Sequence, residues 1–140
     1  MYEKPYNDCA INIVSESVVD SMFITEKVYK PLMAGQIFVV LGFPGILKKL
    51  NSLGFKTYAE FIDESYDNET NHHTRIKMIN ATLHNLKDTD YKKLYADTKQ
   101  IREHNQMIFF DEKYIGKEID NTLRLWFEFA DRSQVSPRES

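Results

Sequence analysis

Thr25-Glu26-Lys27-Val28-Tyr29-Lys30-Pro31-Leu32-Met33-Ala34-Gly35-Gln36-Ile37-Phe38-Val39-Val40-Leu41-Gly42 holds a helix and the strand it feeds. The Thr25 hydroxyl is an N-cap for the segment 26–34, and Gly35 supplies the stop, because a glycine takes the left-handed turn that ends a helix. Residues 36–41 are mostly β-branched or aromatic and carry no charge on either face, as a central strand covered on both sides requires. This unit sets the pattern of the first half of the chain, an alternation of strands and helices.

Working outward, Cys9 to Val14 is a short apolar run ending at the polar Ser15-Glu16-Ser17, which reads as a buried parallel strand. Downstream of residue 41, Gly42-Phe43-Pro44-Gly45 turns the chain into Ile46-Leu47-Lys48-Lys49-Leu50-Asn51-Ser52-Leu53, a helix with Gly54 as its stop. Strand, helix, strand, helix with short connections implies parallel pairing and right-handed crossovers. Phe55 to Tyr58 is a weaker strand or a turn, and an acidic loop follows from Asp63 to Asp67. From about Asn71 the periodicity is helical. Ile76, Ile79, Leu83 and Leu86 form one stripe, Tyr91, Leu94, Tyr95 and Ile101 a second, and Tyr114, Ile115, Ile119, Leu123, Trp126 and Phe127 a third. The expected fold class is α/β: a three-layer parallel sheet with helices on both faces and a helical C-terminal part. Residues 1–131 form the domain, and 132–140 read as a frayed polar tail.

Composition bounds the function. With 140 residues, 42% hydrophobic and 28% charged, the chain supports one good core. A net charge of -3 with mixed signs gives no basic face for duplex nucleic acid, so no nucleic-acid partner is expected. No apolar run is long enough to span a membrane, and the residues after Met1 do not form a leader, so a cytoplasmic location is expected. The single cysteine, Cys9, excludes an internal disulfide framework.

Chemistry concentrates around residue 25. Lys27 falls in the first helical turn, where the positive end of the macrodipole disfavours a cation by about 0.3 kcal/mol or somewhat more. Pro31 removes the amide that would bond the Lys27 carbonyl. A bound anion would offset the repulsion, since first-turn amides with Lys27 and Lys30 make a compact positive site. The plainer explanation is an exposed i,i+4 pair between Glu26 and Lys30, worth about 0.3 kcal/mol. Two other strand ends are candidates: the Gly42 to Gly45 turn, which is neither a Walker loop nor GxGxxG, and Ser15-Glu16-Ser17, whose carboxylate and hydroxyls could hold a ribose or a base edge.

The combination of Ile24-Thr25-Glu26-Lys27, Ala34-Gly35, the apolar strand and Gly42-x-Pro44 resembles the donor-binding motif of fucosyltransferases and related two-domain (GT-B) glycosyltransferases. The stretches 44–50, 53–57 and 61–67 look like the version found in phage and viral relatives. The resemblance covers about residues 9–67. It implies a Rossmann-like domain that binds a nucleoside diphosphate sugar such as GDP-fucose, with Glu26 on the ribose or base and Lys27 on the diphosphate. Thr25, Lys30, Glu16, Ser17, Gly42 and Gly45 would surround them. It implies transfer of a sugar to a hydroxyl without a metal, and without a cofactor beyond the nucleotide sugar. The catalytic base of that family comes from an N-terminal acceptor domain, and its upstream donor-binding arginine has no counterpart here. The chain is then a fragment, one half of an enzyme completed by a separately encoded acceptor domain or a second copy, or a protein that binds without turnover. The alternative is a non-catalytic interaction domain using its aromatic C-terminal helix.

Other residues have bland readings. His72-His73 with Glu69 offers no third metal ligand at suitable spacing, so no metal is expected. Asp63, Glu64 and Asp67 could form an acid/base pair, or an acidic loop capping the next helix. Cys9 reads as packing. The sequons Asn68-Glu69-Thr70 and Asn80-Ala81-Thr82 carry little without a signal peptide.

Overall fold

The computed structural model describes residues 9–16 and 24–111. Two strands, β1 (Ile11–Ser15) and β2 (Ile37–Leu41), pair in parallel, with Ile11 opposite Ile37 and Ser15 opposite Leu41. Helix α1 (Glu26–Met33) joins them and α2 (Ile46–Ser52) follows β2. A short 3₁₀ turn, Ser65–Asn68, leads to α3 (His72–Leu86), α4 (Tyr91–Asp97) and α5 (Lys99–Phe110). The result is a mixed α/β fold, a small parallel sheet flanked by helices.

The core sits on β2, where Ile37, Phe38, Val39 and Val40 are buried on both faces as the uncharged run demands. Helix α1 buries Val28, Tyr29, Pro31 and Leu32, with the Tyr29 ring 6.4 Å from that of Phe109 in α5, and it runs through Pro31 without ending. Strand β1 is less covered than its sequence suggests. Only Val14 of its residues is buried, and Ile13 is 59% exposed. Cys9, expected to pack in that strand, is exposed two residues before it begins.

The weak strand signal at 55–58 gives no strand, and the hydrogen bonds explain why. The Lys56 amide donates to Asn105 Oδ1 at 2.8 Å and its carbonyl accepts from Asn105 Nδ2 at 2.9 Å. The Tyr58 amide donates to Glu64 Oε1 at 2.7 Å. With its backbone satisfied by side chains, the segment needs no ladder. Two tyrosines reach the β2 edge instead: Tyr58 Oη donates to the Gln36 carbonyl at 2.8 Å, and the Val40 amide donates to Tyr66 Oη at 3.4 Å. Phe38 meets the Tyr58 ring edge-on, with centroids 5.3 Å apart.

The helical half packs partly through polar groups. In α3, Ile79 and Leu86 are buried while Ile76 and Leu83 are half-buried. The second stripe is split between α4 and α5, and its Tyr91 and Tyr95 are exposed. Buried Arg102 does the docking there. Its guanidinium lies 3.5 Å from the Tyr95 ring centroid and donates to the Tyr95 carbonyl at 2.6 Å and the Gly35 carbonyl at 3.4 Å, tying α5 to the end of α1. The third stripe, 114–127, lies outside the described residues.

Candidate functional site at the carboxyl edge of the sheet

The carboxyl ends of β1 and β2 are joined by the Glu16 amide, which donates to the Leu41 carbonyl at 2.8 Å. From this point the Glu16 side chain reaches to the start of α1. Its Oε1 accepts from the Thr25 amide at 3.1 Å, and its Oε2 from the Thr25 hydroxyl at 2.6 Å. Thr25 Oγ1 in turn accepts from the Lys27 amide at 3.2 Å, so the sequence-predicted N-cap forms and is itself held by a buried carboxylate.

Glu26 opens the helix beside this relay. Its Oε2 is buried and has no hydrogen-bond partner among the described residues. An unsatisfied buried acceptor costs about 1–3 kcal/mol, so such an atom is uncommon without a reason. The ordinary explanation for Glu26 and Lys30 does not hold: the ion pairs among the described residues are Lys93–Asp97 and Lys99–Glu103, and none of them joins Glu26 to Lys30. Lys27 and Lys30 are exposed. Glu16, Thr25, Glu26 and Lys27 therefore come together at one end of the sheet, while Ser17 lies outside the described residues.

The Gly42 to Gly45 turn is organised differently. Gly45 takes φ 84° at the N-cap of α2, a conformation that suits glycine, and offers no side-chain acceptor; Pro44 before it has no amide. Asp67 supplies the missing acceptor from twenty residues downstream. Its Oδ1 accepts from the Leu47 amide at 3.1 Å, its Oδ2 from the Lys48 amide at 3.2 Å, and its carbonyl from the Gly45 amide at 2.8 Å. The amides that a phosphate would use are already held by a carboxylate. Gly42 is constrained by packing, since a Cβ there would come within 2.8 Å of Ile46 Cδ1.

The acidic loop thus caps the preceding helix, α2, rather than the next one. Helix α3 is capped by Asn71, whose Oδ1 accepts from the Thr74 amide at 3.0 Å. Asp63 accepts from the Ser65 amide, and hydrogen bonds from Ser65 hold its carboxyl below the usual range. Burial pushes the Glu64 carboxyl up. All three carboxylates are engaged with backbone amides, so their arrangement serves the loop rather than an acid/base pair. His72 Nδ1 lies 3.3 Å from the buried Arg75 guanidinium, and among the described residues no three His, Cys, Asp or Glu side chains are grouped so as to hold a metal ion. No described helix is long and apolar enough to cross a membrane.

The sequence motif identified the α1 cap because its contacts are local. It missed the Asp67 cap, whose available signal was the lack of any acceptor in Pro44-Gly45. Compared with family models, curated proteins and solved structures, the chain matches none.

Proposed function

We propose that this chain is the donor-binding half of a two-domain glycosyltransferase, with a Rossmann-like sheet whose carboxyl edge takes a nucleoside diphosphate sugar. The observation that carries the reading is the Glu26 carboxylate, which keeps a buried oxygen without a partner beside Lys27. A carboxylate in that state is matched by a vicinal diol such as ribose, whose hydroxyls donate to it. Lys27 on the next residue meets the diphosphate, and Lys30 adds positive charge one turn further on. As the glycosyl group departs, negative charge grows on the diphosphate, and a lysine stabilises it without a metal. The acceptor hydroxyl needs a carboxylate base, which a separate acceptor domain or a second copy would bring. Because Asp67 already holds the α2 amides, the donor is assigned to the α1 side of the edge rather than to the Gly42 to Gly45 turn.

Calorimetric titration of the chain with GDP, UDP and their sugars tests this. Binding that is lost in Lys27→Ala and in Glu26→Gln supports the reading. Absence of heat with every nucleotide, or equal affinity in Lys27→Ala, refutes it. The alternative, a non-catalytic interaction domain, is favoured by exposed Met107 and Phe110 at the end of α5 and by Ile13 on β1. The same titration separates the two.

A further inference from the structure

We propose that Glu16 is the positioning residue of the donor site, fixing where Glu26 and Lys27 stand without touching the ligand. This rests on the nucleotide reading above and gives Glu16 a different task from the ligand contact its strand-end position suggested. Its side chain is 3% exposed, and both carboxylate oxygens are engaged by Thr25. The backbone beneath is fixed as well. The Glu16 amide is bonded to the last residue of β2, and its Cγ packs over Gly42, 3.6 Å from where a Cβ on that glycine would lie. One residue therefore connects the end of β1, the end of β2 and the start of α1.

The chemistry favours this brace over a neutral one. A carboxylate at the positive end of a helix gains from the macrodipole, and its bonds to an amide and a hydroxyl are charge-assisted. Glu26 and Lys27 are the two residues immediately after the braced Thr25, so any tilt or fraying of the first turn moves both. The Lys27 amide depends on Thr25 Oγ1, whose own position is set by Glu16. Loss of Glu16 loosens this relay and exposes the Glu26 carboxylate to water in many orientations. The consequence is weaker nucleotide binding at an otherwise intact surface.

The test compares Glu16→Gln, Glu16→Ala and the core variant Ile79→Val, far along the chain in α3, by amide hydrogen exchange without nucleotide and by titration with GDP. In Glu16→Ala the amides of 25–28 are expected to exchange about tenfold faster or more, and GDP affinity to fall about tenfold, as loss of charge-assisted hydrogen bonds allows. Glu16→Gln, which keeps an acceptor for the Thr25 amide, should lie between. Ile79→Val lowers the melting temperature but leaves the affinity unchanged. A fall in affinity with unaltered exchange at 25–28 makes Glu16 a direct ligand contact and overturns the proposal, as does unaltered exchange with unaltered affinity. If the unsubstituted protein binds no nucleotide, the donor reading fails by itself and the positioning role in that site falls with it. The exchange rates then report separately whether the turn depends on Glu16.

Discussion

Helices α1 and α2 both start at the carboxyl edge of the same parallel sheet, and both receive a carboxylate from elsewhere in the chain. At α2 it is that of Asp67, whose two oxygens accept from two first-turn amides directly. At α1 it is Glu16, which grips the cap residue Thr25 and leaves Glu26 with an unmatched buried oxygen. One helix start is closed by the fold, while the other is held in place and keeps a demand for hydrogen-bond donors. Position at a strand end therefore does not by itself mark a ligand site; what matters is which backbone and side-chain groups the fold has already satisfied.

The largest expected effect comes from the closed side. Asp67→Ala removes the acceptor of two amides in one step and should lower stability by about 2–3 kcal/mol in urea unfolding. A loss too small to measure would erase the distinction between the helices. Thr25→Ala should cost about 1 kcal/mol as an ordinary cap loss, and it should weaken nucleotide binding, which Asp67→Ala is not expected to do directly. Tyr66→Phe leaves the Val40 amide on the β2 edge without its partner and should cost about 1 kcal/mol.

That same edge has a pH signature. Burial pushes the Tyr58 and Tyr66 phenols far above their ordinary value of 10.0. A phenol whose folded pKa is raised contributes stability that is fully present below the unfolded value and declines as pH rises from about 10 toward the folded one. Unfolding measured across alkaline pH should show this decline, and it should be smaller in Tyr66→Phe. The smallest stability effect belongs to the open side. Glu26→Gln should change stability by less than about 0.5 kcal/mol, since removing a poorly solvated charge offsets the lost macrodipole interaction, yet it should abolish nucleotide binding. If Glu26→Gln destabilises as much as Asp67→Ala, Glu26 serves the fold and the contrast collapses.

Much of this arrangement was legible in the residues around position 30. The bounds of α1, its Thr25 cap and the burial of β2 follow from periodicity and from contacts a few residues apart. Residues 55–58, read as a weak strand or a turn, form no strand because Asn105, 49 residues from Lys56, offers the backbone both a donor and an acceptor. The stripe on α4 and α5 misled for a related reason: Arg102 docks those helices through its guanidinium, so Tyr91 and Tyr95 need not be buried. In the candidate site, Thr25, Glu26 and Lys27 were identifiable as a group, but the separate tasks of Glu16 and Asp67 were not.

By itself, the sequence determined the local elements, because a hydrophobic period, a hydroxyl cap and a glycine stop act within one or two turns of chain. It also determined that the strand at 37–41 would be buried on both faces, since it offers water no charge. Tertiary structure alone decided which helix start is closed and which keeps an unmatched carboxylate. Each buried backbone group must find a partner, and that partner is whichever side chain the folded chain brings within about 3 Å, however distant in sequence.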